Sequence, residues 1–418
     1  MSEGWSEIPA SEVFSILMGR QRSPQRATGP NMTPYLRSAN VGNGSLDFAD
    51  VKTMDFTAAE RERFGLKPGD VLVSEGSASA TAVGMAAVWN GELDGEVCFQ
   101  NTVLRYRAIP GVSEPAFVFQ WCRWAFESGA FRAAASGTNI KHIGSSRAEA
   151  MRVLLPPPPV QRRIAEVMGA IDDQITALEH EASALWTLYE GSVDVLWGDG
   201  AGQEAPARPL SDVMRLDISW TPIEIGSTYR LAGVLNAGRG LVDKGELDAE
   251  STEYKRMVTL RENQVVMRKL TAWEGPIAVI PSAFDGYVAS NEFPTFALDE
   301  GVLPDWMRHV CRSSRLWAEM KSRVKGTVQR RKRLNPEQLL EIELPIPRPP
   351  AQANAARVLE AIEDDTADLR TEAERLRRLR SRLLAGLLTR EIEIGDVNLD
   401  NDSADATTTL PAGETVTV

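Results

Sequence analysis

The sequence predicts a mixed α/β (α+β) protein. We expect two tandem globular domains, separated and followed by long α-helices that form an antiparallel coiled coil with pseudo-two-fold symmetry. Three observations predict this class: an internal repeat, a heptad pattern after a proline run in each copy, and short β-rich runs before each proline run. The chain has 418 residues, of which 43% are hydrophobic and 25% charged, so it is typical of a globular protein with two to four domains.

The repeat sets the order of the domains. Pro156–Gln161 and the 21 residues after it align without gaps with Pro347–Gln352 and its continuation, at an offset of 191 residues. Leu66–Val73 corresponds more weakly to Leu260–Met267, in the same order. We therefore predict a first domain at 1–155, a first long helix at 156–198, a second domain at 199–345, a second long helix at 346–391, and an acidic disordered tail at 392–418.

The first domain and the second domain read as mixed α/β. Val71–Val73 and Met85–Trp89 are β-rich runs in the first copy, and Val265–Met267 and Ile277–Ile280 are β-rich runs in the second. Each copy then offers one helical stretch, near 115–134 and near 304–324. We expect the tryptophans of these stretches to be core or half-buried residues rather than platforms for nucleic-acid bases.

The two long helices follow from their heptads. Proline is tolerated in the first turn of a helix and not deeper, so each proline run marks a helix start. Apolar residues then alternate in steps of four and three, which is the seam of a left-handed coiled coil. The predicted seam consists of Ile164, Met168, Ile171, Ile175, Leu178, Leu185, Leu359, Ile362, Leu369, Leu376 and Leu383, with Arg380 as its exception. A single helix of this kind could serve only to hold the structure together. Two equal copies of about 57 Å instead favour a spacer that fixes the distance between two domains.

The charge of the chain is unevenly distributed. The net charge of −12 comes from two stretches, 160–197 and 391–418, which leaves both predicted domains near neutrality. Seven bases lie between Lys321 and Arg333 without an acid among them. This basic segment could therefore bind nucleic-acid phosphates although the net charge of the chain is negative. Arg20, Arg22 and Arg26 form a second basic loop that could also follow a nucleic-acid backbone.

Catalytic and targeting patterns are missing from the sequence. We find no phosphate-binding glycine loop, no nucleophile elbow, no zinc-protease motif, and no motif by which amino-methylating enzymes hold a flipped base. The three cysteines and three histidines have no metal-ligand spacing, so we expect no metal site and reduced thiols. The acids at Asp172, Asp173 and 363–365 favour a solvated helix face or a contact with a basic partner protein. The absence of an apolar span and of a signal-peptide pattern predicts a cytoplasmic protein with no membrane contact.

Three motifs carry a resemblance to a known family. They are Leu155-Pro-Pro-Pro-Pro-Val-Gln161-Arg-Arg-Ile164, Leu66-Lys-Pro-Gly-Asp70-Val-Leu, and Gly137-Thr-Asn-Ile-Lys141. With the repeat, they make the chain resemble the specificity subunit of Type I restriction-modification enzymes, over residues 5 to 390. The second copy departs from the pattern, because it has Gln352-Ala-Asn-Ala at the helix entry and Gly326-Thr-Val-Gln-Arg330 in place of the turn that ends at Lys141.

The resemblance implies a function without catalysis. Each domain would read one half of a split double-stranded DNA site, while the helices would set the gap and dock two copies of an adenine methyltransferase subunit. Endonuclease/translocase subunits would complete the complex. No cofactor would bind this chain; S-adenosylmethionine would bind the methyltransferase, and ATP and Mg would bind the endonuclease.

Candidate DNA contacts follow from the basic residues near the turn motifs. Lys and Arg neutralise phosphates, while Arg, Asn and Gln side chains in the grooves read bases. The candidates are Lys141, His142 and Arg147 in the first domain and Lys321, Arg323, Lys325, Gln329, Arg330, Arg331, Lys332 and Arg333 in the second. Two alternatives stay open: a scaffold, assembly factor or inhibitor of a defence system that no longer reads DNA, and an enzyme such as a nuclease with an unrecognised motif.

Overall fold

The computed structural model describes residues 4–77, 82–137, 141–195, 206–324 and 332–394. The chain divides into two compact units. The first unit comprises residues 1–176 and 374–418, and the second comprises residues 177–373. Most of the predicted tail at 392–418 lies outside the described residues.

The first unit is built on a four-stranded antiparallel sheet in the order β2-β9-β5-β7 and a three-stranded sheet in the order β4-β3-β8. Strand β1 pairs with β11, and β6 pairs with β10. The strands are β1 (Ser6–Pro9), β2 (Phe14–Met18), β3 (Met32–Leu36), β4 (Lys52–Asp55), β5 (Asp70–Ser74), β6 (Gly76–Ser77), β7 (Ala86–Trp89), β8 (Cys98–Phe99), β9 (Val103–Ala108), β10 (Lys141–His142) and β11 (Arg152–Leu155). The helices are α1 (Ala10–Val13), α2 (Ala58–Phe64), α3 (Pro115–Glu127), α4 (Ala130–Ala134), α5 (Ser145–Ala150) and α6 (Pro158–Val195).

The second unit repeats the four-stranded sheet of the first unit and has a larger second sheet. Its four-stranded sheet has the order β13-β21-β18-β19, and its five-stranded sheet has the order β14-β17-β20-β15-β16. The strands are β12 (Ala207–Pro209), β13 (Met214–Leu216), β14 (Ser219–Pro222), β15 (Thr228–Val234), β16 (Leu241–Asp248), β17 (Arg256–Thr259), β18 (Val265–Met267), β19 (Ile277–Val279), β20 (Val288–Ala289), β21 (Thr295–Leu298) and β22 (Glu343–Pro345). The helices are α7 (Pro304–Val310), α8 (Ser314–Arg323), α9 (Pro336–Leu340) and α10 (Pro349–Thr389).

Strand β5 shows why each unit has two cores. Successive side chains of a strand point to opposite faces of the sheet. Val71 and Val73 therefore pack into the core that contains Trp121 of α3, whereas Leu72 packs into the core that contains Phe99 of β8. The corresponding strand β18 divides its side chains between two cores in the same way.

Each predicted helical stretch is two helices rather than one. In the first unit the break lies at Ser128 and Gly129, where Gly129 adopts a left-handed φ of 81° that glycine accepts without steric cost. In the second unit α7 ends at Val310 and α8 starts at Ser314, with the Ser313 side chain capping α8 by accepting from Arg315 N. Trp121 and Trp306 are almost fully buried, as the sequence predicts for these stretches.

The long helices run antiparallel within each unit. In the first unit Ile164 and Met168, near the start of α6, share a core with Leu384 and Leu387, near the end of α10. In the second unit Val193 near the end of α6 packs with Leu359 near the start of α10. Every residue of the predicted seam is buried or half-buried. The mixed α/β class with long helices is thus confirmed, and none of the helices among the described residues could span a membrane.

A buried glutamine fixes the start of each long helix. Gln161 is fully buried; its Oε1 accepts from Glu114 N at 2.9 Å, and its Nε2 donates to the carbonyl oxygens of Val112 and Pro156 at 2.9 and 2.8 Å. Gln352 repeats the arrangement in the second unit with the backbone of Leu303, Gly301 and Pro347. Because buried polar groups must find partners, this matched set explains the Gln that the repeat places after each proline run.

Arg380 is the buried exception of the seam. Only 1% of it is exposed, and its guanidinium donates to Asp172 of α6 at 2.6 and 3.0 Å and to Gln120 of α3 at 2.7 Å. Arg123 of α3 also pairs with Asp172 at 3.0 Å. The expectation that Asp172 lies on a solvated face is therefore wrong: a carboxylate is needed there because a buried guanidinium must be paired.

The second unit has a related cluster at the corresponding positions. Glu363, which the repeat aligns with Asp172, pairs with Arg308 at 2.7 Å and with Arg312. The solvated-face expectation is wrong for Glu363 too, whereas Asp173, Asp364 and Asp365 are exposed. Here Tyr189 takes the place that Arg380 has in the first unit, and its hydroxyl lies 2.8 Å from Nδ1 of the fully buried His309.

Candidate nucleic-acid interface

The first unit presents its candidate residues on a short strand. Lys141 and His142 form β10, in which Lys141 lies opposite Ser77 and His142 lies opposite Gly76 of β6. Both side chains are exposed. Since β6 follows shortly after the buried strand β5, the rigid core of the unit positions these two basic side chains.

A carboxylate orients His142. Nδ1 of His142 lies 2.8 Å from Oε2 of Glu75, a hydrogen bond in which the ring nitrogen donates. The side chain of Glu75 is 9% exposed, whereas that of His142 is 51% exposed. Gly76 makes room for the ring, because a Cβ at this position would lie 2.3 Å from Nδ1. The outer edge of the imidazole is therefore free to contact a ligand.

Arg147 lies beside the same strand. Ser136 forms a backbone bridge with His142, with N···O distances of 2.8 and 2.9 Å, and the Arg147 guanidinium donates to the Ser136 hydroxyl. The structure thus brings Lys141, His142 and Arg147 to one surface of the first unit.

The second unit places Lys332 and Arg333 at the corresponding point. Ile143 N donates to Glu75 O at 3.0 Å in the first unit, and Leu334 N donates to Lys269 O at 3.1 Å in the second. Lys141 therefore corresponds to Lys332 and not to Arg330, the residue that the turn motif aligns with it. The motif alignment is wrong by two residues at this point, because the backbone pairing fixes the register from the far side of the turn.

The carboxylate that serves the second unit comes from a different segment, the turn between β20 and β21. Glu292 pairs with Arg333 at 3.2 Å and with Lys269 at 3.9 Å. Glu75 N donates to Thr102 O in the first unit, and Lys269 N donates to Glu292 O in the second, both at 2.9 Å. Lys269 therefore corresponds to Glu75, and Glu292 corresponds to Thr102. Each unit thus holds an exposed basic side chain against one acid, and the acid takes the donor position of this backbone hydrogen bond in the first unit and the acceptor position in the second.

The remaining candidates are dispersed. Lys321 and Arg323 lie at the end of α8; Lys321 is exposed, while Arg323 pairs with Glu319 of the same helix. Lys325, Gln329, Arg330 and Arg331 lie outside the described residues. In the basic loop of the first unit, Arg20 and Arg26 both pair with Glu60, which leaves Arg22 as its exposed cation without an ion pair among the described residues.

A strained turn adjoins Arg333 in the second unit. Thr271 has a φ of 57°, a left-handed conformation that is uncommon for a β-branched residue, and it follows Leu270, which bridges to Arg333. Arg268 holds this turn through Thr271 Oγ1 at 2.6 Å and Asn236 Oδ1 at 2.8 Å. Such strain persists where surrounding contacts impose it and is concentrated at functional sites.

Sequence reasoning missed the acids of these sites. Glu75 and Lys269 follow directly after the aligned runs that end at Val73 and Met267, so extending that alignment by two residues would have reached both. Glu292 gives no comparable signal, because its role depends on the backbone hydrogen bond that its carbonyl oxygen accepts from Lys269 N.

The described residues offer little catalytic chemistry. Within 4–77, 82–137, 141–195, 206–324 and 332–394 no three His, Cys, Asp or Glu residues are grouped to hold a metal ion. All three cysteines are buried, and burial raises the pKa of the Cys98 and Cys311 thiols to about 12. These thiols are therefore protonated at neutral pH and are poor nucleophiles.

Comparisons with known proteins agree with this architecture. Residues 2–185 match the family model of the Type I restriction modification DNA specificity domain. A curated relative is the Type I restriction enzyme EcoKI specificity subunit of Escherichia coli (strain K12), which is 23% identical over 285 residues that span 61% of this chain and 59% of that protein.

Two solved structures share the fold. The S subunit of a Type I restriction-modification system from M. genitalium has a TM-score of 0.50 at 13% identity, covering 94% of this chain and 98% of that one. A chain from a study of complex assembly and conformational transition of the type I R-M system has a TM-score of 0.61 at 14% identity, covering 93% and 98%. At these identities the likeness shows the fold alone.

Proposed function

We propose that this chain is a specificity subunit of a Type I restriction-modification complex and gives that complex its DNA sequence specificity, since its residues 2–185 match the DNA specificity domain of that family. In this proposal the chain is not catalytic. It binds no cofactor; S-adenosylmethionine belongs to the methyltransferase subunits, and ATP and Mg belong to the endonuclease/translocase subunits.

The proposal extends to a split site, of which each unit reads one half. The observation that carries it is the repeated placement of basic side chains, the exposed Lys141 and His142 in one unit and the half-buried Lys332 and exposed Arg333 in the other, beside the segment that follows the central strand of the sheet. Two binding edges with the same backbone geometry and different side chains suit the reading of two different half-sequences.

The chemistry of the two edges differs. His142 and Arg333 are each held from behind by a carboxylate, so their outward nitrogen atoms are positioned before DNA binds. A guanidinium can donate two hydrogen bonds to O6 and N7 of guanine in the major groove, whereas lysines chiefly neutralise phosphates. We therefore assign base contact to Arg333 and His142 and backbone contact to Lys141, Lys332 and Arg147.

In the same proposal the long helices α6 and α10 set the number of base pairs between the half-sites and dock two copies of an adenine methyltransferase subunit. Support comes from their length of 38 and 41 residues, which exceeds what a core of one domain needs. Inserting four residues, about one helical turn, into either helix should change the spacer and leave the half-sites unchanged. An unaltered spacer would count against this role.

The decisive experiment is co-expression with the adjacent methyltransferase gene, followed by single-molecule sequencing of host DNA for methylated adenine. We expect a split motif that disappears when this chain is deleted. Exchange of residues 1–155 for the corresponding domain of a relative should change one half of the motif only. If the complex forms but no motif appears, the chain is a scaffold or an assembly or inhibitory protein that does not read DNA.

A further inference from the structure

The first unit has a basic groove beside the candidate interface. Its volume is 470 Å³, and its walls include Arg22, Tyr35, Arg37, Lys52, Gln100 and Thr102. Three of its lining residues are cations, and none of the described residues that line it is an acid. The loop before β3, the β3–β4 hairpin and the segment after β8 contribute these residues, so the groove lies where three elements meet.

The cations of this groove are incompletely neutralised. Lys52 lies 2.6 Å from Asp50, and the same carboxylate pairs with Arg37. Arg22 is exposed and has no ion pair among the described residues, in contrast to Arg20 and Arg26 of the same loop, which share Glu60. The three cations of the groove are therefore balanced by a single ion-paired carboxylate, that of Asp50, which does not line the groove.

Arg37 also has an unpaired buried donor. Its Nη2 is bonded to Asp50, but its Nε is buried and has no hydrogen-bond partner among the described residues. A buried donor without a partner costs free energy, so it is expected to be paired with a water or a ligand. A phosphate oxygen is the partner that charge favours for a guanidinium.

One wall of the groove is hydrogen-bonded to the segment that holds His142. Thr102, in the wall of the groove, accepts from Glu75 N through its carbonyl at 2.9 Å and from Ser38 N through its hydroxyl at 3.1 Å. Glu75 is the carboxylate that holds His142. In the second unit the place of Thr102 is taken by Glu292, whose negative charge disfavours an anion there.

We propose that this groove binds a phosphate group of the DNA backbone, next to the half-site that the first unit reads, with Arg22, Arg37 and Lys52 as its cationic contacts. The proposal rests on the proposed DNA-reading function and adds a phosphate site to the first unit alone. Arg22 contacts the phosphate directly, while Arg37 and Lys52 supply positive charge from the wall of the groove.

The first test is the salt dependence of DNA binding by the complex with its methyltransferase subunits. Each phosphate contact adds about 0.9 to the slope of log K against log salt. Arg22→Gln should lower that slope by about 1, so that the affinity ratio between 50 and 200 mM KCl falls about 3.5-fold relative to the unmodified chain. Arg152→Gln, an exposed arginine on β11 that pairs with Glu7, is the matched control and should leave the slope unchanged.

Sequence preference separates a phosphate contact from a base contact. Arg22→Gln should weaken the binding of duplexes with and without the methylated motif by the same factor. A selective loss for the motif would assign Arg22 to base reading and overturn the phosphate proposal. An unchanged salt slope for Arg22→Gln would also overturn the phosphate proposal. If the same variant still binds the motif specifically, the proposed DNA-reading function is unaffected by that result.

The second test is lysine acylation followed by mass spectrometry. Duplex DNA should protect Lys52 at least several-fold and leave Lys67, an exposed lysine outside the groove, as reactive as before. If inorganic phosphate at the same phosphate concentration protects Lys52 equally, the site binds free phosphate and the backbone assignment is wrong. If the unmodified complex binds no DNA, the DNA-reading function falls, and the groove proposal falls with it.

Discussion

The buried His309 makes a sharp prediction about pH. Its side chain has no exposed surface, and burial, with the positive charges of Arg308 and Arg312, lowers its pKa to about 3 from an ordinary 6.5. Arg308 Nη2 donates to Nε2 at 3.2 Å, so the ring is neutral with its proton on Nδ1, from which it donates to Tyr189. Protonation of Nε2 would remove that acceptor and place a positive charge on a fully buried ring beside Arg308 and Arg312.

The magnitude follows from proton linkage. Between pH 6.5 and pH 3 the unfolded chain binds a proton at His309 that the folded chain does not. The contribution of this residue to the free energy of unfolding is therefore complete above pH 6.5 and falls by about 1.4 kcal/mol for each pH unit below it. At pH 5 the expected loss is about 2 kcal/mol.

The assay is urea unfolding followed by circular dichroism at pH 7.5, 6.5, 5.5 and 5. The substitution is His309→Gln. Glutamine is chosen because Gln120 occupies the corresponding position of the first unit, where its Oε1 accepts from Arg380 at 2.7 Å. The difference in unfolding free energy between the original chain and the variant should shrink by about 2 kcal/mol from pH 7.5 to pH 5. His180→Gln, at an exposed position of α6, serves as the control. Parallel curves for the original chain and His309→Gln would refute the reasoning.

Three further predictions concern stability and DNA contact. Gln161→Leu should lower the unfolding free energy of the first unit by about 3 kcal/mol in urea titrations, because it leaves three buried backbone groups unpaired; an equal effect of the exposed Gln174→Leu would contradict this. Arg380→Met should cost about 3–5 kcal/mol, and adding Asp172→Leu should recover most of that loss, so a double variant no more stable than Arg380→Met would count against a mutually dependent pair. Replacing 330–333 by alanines should weaken DNA binding and reduce its salt dependence without affecting assembly with the methyltransferase. An unchanged salt slope would contradict the assignment of these residues to DNA phosphate contacts.

The long helices could be predicted from sequence because their determinants are local. Proline runs, apolar residues in steps of four and three, and a repeat at 191 residues are all visible in one dimension. Arg380 shows the limit of this reasoning. Its position in the seam was evident, but its burial depends on Asp172, 208 residues away along the chain.

The candidate interface was only partly predictable. Lys141, His142, Lys332 and Arg333 stand out as cations beside turn motifs, and the structure places them at corresponding points of the two units. Their register could not be derived, since it depends on backbone pairing of Leu334 with Lys269 rather than on the residues of the turn. The groove around Arg37 gave no sequence signal, because its walls come from three segments that converge only in the fold.

The buried glutamines have a consequence for how such chains can change. Gln161 and Gln352 bond only to main-chain atoms of the domain that each helix follows: one N–H and two carbonyl oxygens. Almost any sequence supplies those atoms, provided that its backbone passes the same points. The connection between domain and helix thus does not depend on the side chains of the domain. Recombination could therefore exchange whole domains at this point, and every hydrogen bond of the connection would form again.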